Sequence, residues 1–239
     1  MGIYRDGVSS LFPFLQNEFN LTRTQVSFYS TFLYFASTSF SIFSGRLVDI
    51  KGTKWSMICG IVFVGFLLLL HSIASTFNAL LLLAAITGLG MSINPSATNK
   101  GITEWFPIRL RNTATGIWST SFPIGGALAA IILPIIGILI GWRKAVIISG
   151  SLILICSLPI FLFYRNKGEK HISFRESFSG LIKNSNLIAI SVFGFFLGAT
   201  EGAILTHFTL FLYLDYGLTE SMAGLGFAFA QFGSISGRL

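Results

Sequence analysis

"SIFSGRLVDIKGTKWSM", residues 41–57, sets three basic side chains, Arg46, Lys51 and Lys54, and one acid, Asp49, between two apolar runs. A charged island of this kind, here residues 45–54, marks a place where a chain leaves a bilayer and turns back into it. The flanking sequence supports that reading. Uncharged stretches run over 24–45, 55–99, 112–142 and 145–164. About 20 apolar residues cross a bilayer as a helix, and these stretches reach or exceed that length. The composition agrees: 53% of the residues are hydrophobic and 10% charged, against about 25% charged in an ordinary soluble domain. Runs that are continuous rather than alternating exclude a transmembrane barrel. Residues 1–10 carry Arg5 and Asp6 and no separate apolar core, so they do not read as a cleaved signal peptide.

Turns divide the runs into eight expected helical spans, at 2–16, 25–44, 54–73, 77–98, 112–138, 143–163, 187–214 and 221–237. The first is short and reads as incomplete. Short cytoplasmic loops collect Lys and Arg. The loops after spans 2, 4 and 6 hold eleven basic residues: Arg46, Lys51, Lys54, Lys100, Arg109, Arg111, Arg165, Lys167, Lys170, Arg175 and Lys183. The opposite loops hold Arg23, Arg143 and Lys144. The basic loops therefore face the cytoplasm. The net charge of +7 is mostly topology, which leaves little for a nucleic-acid partner.

Chemistry-bearing patterns are sparse. Cys59 and Cys156 fall inside separate spans, and His71, His171 and His207 have no ligand spacing. That pattern suggests no disulfide framework, no metal site and no cofactor. No catalytic triad, phosphate loop or dinucleotide fingerprint is visible, so an enzyme is not expected. Small residues recur every fourth position instead: Ala84, Gly88, Ser92 and Ser96; Ser121, Gly125 and Ala129; Gly194, Gly198, Gly202 and Thr206. Such stripes let helices approach closely in lipid. Pro13, Pro95, Pro123 and Pro134 lie within spans, where each removes a backbone donor.

The opening phrase then returns. "SGRL" at 44–47 recurs at 236–239, an offset of 192, and "NLT" at 20–22 answers "GLT" at 217–219, an offset of 197. Spans 1 and 2 thus resemble spans 7 and 8 in the same orientation. That is the pattern of a transporter built from two parallel six-helix halves.

At these residues the chain resembles the major facilitator superfamily. "GRLVDIKGTK" (45–54) matches that family's loop signature between helices 2 and 3 at Gly45, Leu47, Asp49, Gly52 and Lys54. "EWFPIRLRNTATGI" (104–117) and "GWRK" (141–144) resemble phrases of its organic-anion transporters. The resemblance implies an all-α membrane bundle. Residues 1–163 would form the first six-helix half, 164–186 the cytoplasmic loop between halves, and 187–239 the first two helices of the second half. The chain would stop within its second hinge. The implied function is secondary active transport of a small solute, an organic anion, by alternating access with proton symport, in the cell membrane. The solute and the lipid bilayer are the implied partners, and the oligomeric state is left open. The alternative is a non-transporting membrane component or the inactive fragment of a truncated transporter gene.

Charges inside spans are costly and mark the candidate site. Arg5 lies in span 1 and Glu201 in span 7, at similar depth by the repeat. Arg5 could bind a carboxylate through two parallel hydrogen bonds, and Glu201 could carry a coupling proton. Ser9, Tyr34, Asn94 and Trp118 are further candidates for the substrate path. The family resemblance implies a gating role for Gly45, Arg46, Asp49, Gly52, Lys54 and Arg111, with Asp49 paired to Arg46 or Arg111 or facing a helix N-terminus. Some family patterns are not met. The order here is Tyr4-Arg5-Asp6 where many organic-anion symporters carry Asp before Arg. Span 4 lacks their Gly-Glu pair, and "SFPIGG" (121–126) does not fit the drug-antiporter signature.

Overall fold

Hydrocarbon offers no hydrogen bonds to a bare backbone, so each segment that crosses it must satisfy its own amides as a helix. A computed structural model describes residues 2–5, 7–166 and 184–236. Among them all regular structure is helical. The elements are α1 (Gly2–Arg5), a 3₁₀ turn (Val8–Leu11), α2 (Phe12–Phe19), α3 (Arg23–Lys51), α4 (Thr53–His71), α5 (Phe77–Trp105), α6 (Ile108–Ile140), α7 (Trp142–Ile155), α8 (Ser157–Phe163), α9 (Ser185–Leu214) and α10 (Glu220–Ser236). Span 1 becomes α1, the 3₁₀ turn and α2; span 6 becomes α7 and α8.

Local chemistry sets the ends. Thr22 and Gln25 form a capping box at the start of α3, with the Thr22 amide donating to the Gln25 amide oxygen at 2.8 Å. Gly52 stops α3 at φ 80°, a conformation favoured by residues without a Cβ. Gly141 stops α6 in the same way at φ 91°. The island at 45–54 was expected as a loop. It is helical as far as Lys51, and the turn into α4 is made at Gly52 alone. At 33 residues α6 is about 50 Å long, more than the roughly 30 Å of hydrocarbon. Of the expected loop at 164–186, residues 167–183 lie outside the described residues, as does the recurrence of the island at 237–239.

Two of the three small-residue stripes pack as expected. A Cβ on Gly88 would stand 2.2 Å from the Leu33 carbonyl oxygen, so α5 meets the backbone of α3 there. On the same stripe, Ser44 donates to the Ser92 carbonyl at 3.1 Å and contacts Ser96 Oγ at 3.0 Å. On α6, Gly125 lies against the backbone of Gly2 and Ile3. The α9 stripe differs: a Cβ on Gly194, Gly198 or Gly202 would meet nothing within 4 Å. Gly45, in the charged island, also has open space at its Cβ position.

The outer ends are stapled by charge. Glu18 on α2 accepts hydrogen bonds from the Trp142 indole and the Arg143 guanidinium of α7. Arg143 also donates to the Ala74 carbonyl at 3.0 Å. Trp142 is therefore buried, whereas Trp55 and Trp105 are exposed. Burial works against the charged form of Glu18. The bonds from Trp142 and Arg143 and the guanidinium charge outweigh it and hold the carboxyl below its usual range.

Two outcomes follow from this packing. Gly88→Leu should cost about 1–3 kcal/mol, read as a lower unfolding midpoint in detergent. Glu18→Gln should remove the staple. Because the folded-state value of Glu18 is depressed, its contribution is present above about pH 4.3 and is lost as the pH falls through the folded value. The variant should melt about 2–4 °C below the parent at pH 7, and the two melting curves should converge as the pH is lowered below about 4.

Candidate functional site

The close contact of α1 with α6 decides where Arg5 sits. A Cβ on Gly2 would fall 2.4 Å from the Phe122 carbonyl oxygen, so only glycine lets the two backbones touch. With α1 pressed there, the Arg5 guanidinium carbon lies 4.7 Å from the centroid of the Phe122 ring. Trp118, one turn earlier on α6, meets that ring edge-on at 5.2 Å and 74°. From α3, the Tyr34 hydroxyl donates to the Arg5 carbonyl at 3.2 Å. From α9, Glu201 Oε1 lies 3.5 Å from an Arg5 Nη, with side-chain exposures of 43% for Glu201 and 26% for Arg5. Four elements thus converge on one guanidinium with an aromatic floor and a carboxylate opposite.

Arg5, Tyr34, Trp118 and Glu201 come together; Asn94 does not. Ser9 falls in the 3₁₀ turn of span 1, buried at 6% exposure. Asn94 is turned between helices, where a Cβ on Gly60 would lie 2.6 Å from its Nδ2, so it packs α5 onto α4 rather than facing the Arg5 site. Phe122 was missed, although its spacing from Trp118 is the i, i+4 signal of an aromatic pair. A buried Tyr4–Tyr29–His71 cluster was missed too. The two hydroxyls lie 3.2 Å apart, and both rings stand edge-on to the imidazole.

On the cytoplasmic side Asp49 pairs with Lys100 of α5 at 3.0 Å, not with the expected Arg46 or Arg111. Lys100 also reaches the Val48 carbonyl at 3.4 Å. Arg111 donates to the Thr103 and Phe106 carbonyls at 2.9 and 3.2 Å, closing the turn from α5 into α6. The Lys54 amide donates to Asn166 Oδ1 at 2.9 Å, and its ammonium lies 5.5 Å from the Phe161 centroid. Thr53 donates to Glu104 at 2.9 Å.

The outer side carries three contacts between spans 1–2 and span 7. Arg23 grips Asp215 with two hydrogen bonds, at 2.8 and 3.0 Å. Asn17 donates to the Tyr213 hydroxyl at 3.1 Å, and Ser27 contacts His207 Nε2 at 3.3 Å. Below them α9 stands away from spans 1 and 2: Leu187 to Ala199 are exposed throughout. Arg23 and Asp215 are 192 residues apart, beyond the reach of any local spacing rule that could have paired them.

A helical bundle with membrane-length apolar helices, a charged pair inside its spans and further ion pairs towards its ends defines a multi-pass membrane protein. The chain belongs to the Major Facilitator Superfamily, whose model matches residues 1–239. It is 25% identical over 182 residues to the hexuronate transporter of Escherichia coli, covering 72% of this chain and 40% of that protein. It is 27% identical over 170 residues to a probable sulfoacetate transporter of Cupriavidus necator, covering 71% and 39%. The chain spans about two fifths of the length of these relatives. Among solved structures it is similar to a bacterial homologue of the human lysosomal transporter Spinster, in an inward-facing and occupied conformation. That likeness has a TM-score of 0.76 and 18% identity, over 99% of this chain and 57% of the other.

The outer contacts generate a measurable expectation. Arg23→Ala and Asp215→Asn should each speed labelling of a Ser27→Cys variant by a membrane-impermeant maleimide severalfold. The exchanged pair Arg23→Asp with Asp215→Arg should return the rate toward the parent value.

Proposed function

We propose that the protein is a secondary transporter of a small organic anion in the cell membrane, working by alternating access with proton coupling. The observation that carries this reading is the Arg5–Glu201 pair: a cation from span 1 and an acid from span 7, 3.5 Å apart, within segments where an isolated charge is expensive. The names of the relatives support it, since hexuronate and sulfoacetate are both small organic anions.

The pair suggests the chemistry. A 3.5 Å contact is longer than the 2.7–2.9 Å of a tight charge-assisted bond, so an incoming carboxylate can compete for the guanidinium. When Glu201 Oε takes a proton, its hold on Arg5 weakens and the anion binds. When that proton leaves toward the cytoplasm, Glu201 recovers its charge and displaces the anion. The halves, residues 1–163 and 187–239, would rock about this point. The Arg23–Asp215 grip would hold the outer side shut. Asp49 with Lys100, Arg46, Arg111, Lys54, Gly45 and the turn at Gly52 would form the cytoplasmic hinge.

The test is uptake into proteoliposomes of radiolabelled glucuronate, galacturonate and sulfoacetate with an inward proton gradient. Arg5→Ala should lower uptake by about tenfold or more, as expected for removing the charged hydrogen-bond partner of the anion. Glu201→Gln should abolish accumulation driven by the gradient while anion exchange persists. Uptake unchanged in Arg5→Ala would remove the anion from the reading.

A further inference from the structure

We infer that Phe122 is a positioning residue for anion recognition, and that the head group it selects is a monoanionic carboxylate. The inference rests on the reading of Arg5 as the anion site. Phe122 is 8% exposed, and its ring lies under the Arg5 guanidinium at 4.7 Å from ring centroid to Cζ. A ring there attracts the cation through its quadrupole. It also shields one side of the guanidinium from water. Trp118 stands edge-on against Phe122 at 5.2 Å, which fixes the ring. The Tyr34 bond to the Arg5 carbonyl at 3.2 Å fixes the backbone from which the guanidinium extends. The cation is therefore held from below and behind, and a planar anion can meet its edge through two parallel N–H bonds.

Glu201 shows which anion fits. Its carboxylate already lies beside that guanidinium, so a substrate carboxylate replaces like with like. A phosphate dianion would bring a second negative charge to a single cation with Glu201 alongside, and uncompensated charge is costly away from bulk water. Lysine at position 5 could keep the contact with the ring but not the two-bond edge.

The experiment reads Arg5 directly and needs no knowledge of the natural substrate. The purified protein in detergent is treated with phenylglyoxal, which modifies guanidinium groups, and Arg5 is followed by peptide mass spectrometry. D-glucuronate, acetate and inorganic phosphate are the protecting anions. Glucuronate and acetate should protect the parent at lower concentration than phosphate. In Phe122→Leu the glucuronate concentration for half-protection should rise about threefold to tenfold. Phe122→Trp, which restores an aromatic face, should return it to within about twofold of the parent, an outcome that simple core filling would not produce. Equal protection in parent, Phe122→Leu and Phe122→Trp would overturn the role of Phe122 and leave Arg5 as the anion site. Phosphate protecting as well as glucuronate would overturn the carboxylate class. An Arg5 that labels but is protected by none of the three anions, or that never labels even in Glu201→Gln, would overturn the reading of Arg5 itself.

Discussion

Helices in lipid gain little from hiding apolar surface from one another, because the lipid is as apolar as they are. Close backbone approach has to supply the contact, and the rest of this structure depends on three such places. Gly88 brings α5 onto α3 at the Leu33 carbonyl, Gly2 and Gly125 bring α1 onto α6, and Gly224 brings α10 onto α6 at the Ala130 carbonyl. The second contact aims Arg5 at Phe122. The third lets Phe227 and Ala228 pack with Ala127 and Ala130, which ties span 8 to span 5. Without those glycines the charged centre would have no fixed floor.

Polar contacts follow from this frame rather than build it. Arg5, Tyr34 and Glu201 come from three different elements and meet because the frame brings those elements together. The same holds at the surfaces. The Arg23–Asp215, Asn17–Tyr213 and Ser27–His207 contacts gather towards the C-terminal end of α9, and its N-terminal length stands clear of them. The asymmetry is visible in glycine itself: the α9 stripe has the spacing of a packing face and, at its first three positions, no neighbour within reach.

Much of this was legible in the chain. Apolar runs gave the helical segments, because lipid punishes any other placement of a long apolar stretch. The repeat put Arg5 and Glu201 at one depth, and they meet. Periodicity could not tell a charged loop from a charged helical turn, since Arg46, Asp49 and Lys51 extend α3 without conflict and Gly52 alone breaks it. Spacing could not show the partner of Asp49 either. Lys100 is 51 residues away, and the choice among nearby cations is made by how α3 crosses α5. Asn94 looked like a polar residue facing a path; it faces Gly60, a distinction of helix rotation that one sequence does not encode. Nor could spacing show what Trp142 does, since the acid that accepts its indole hydrogen bond is on another helix.

That last contact sets an order of events during synthesis. Glu18 waits for partners 124 and 125 residues further along the chain. At roughly 5–20 residues per second, the tip of the first span leaves the ribosome about 6–25 s before Trp142 and Arg143. Until then the acid lacks the two partners it has in the folded chain, and the first span must be kept by its own hydrophobicity and by the helices that insert after it. Locking the first segment is thus a late event, tied to arrival of the sixth.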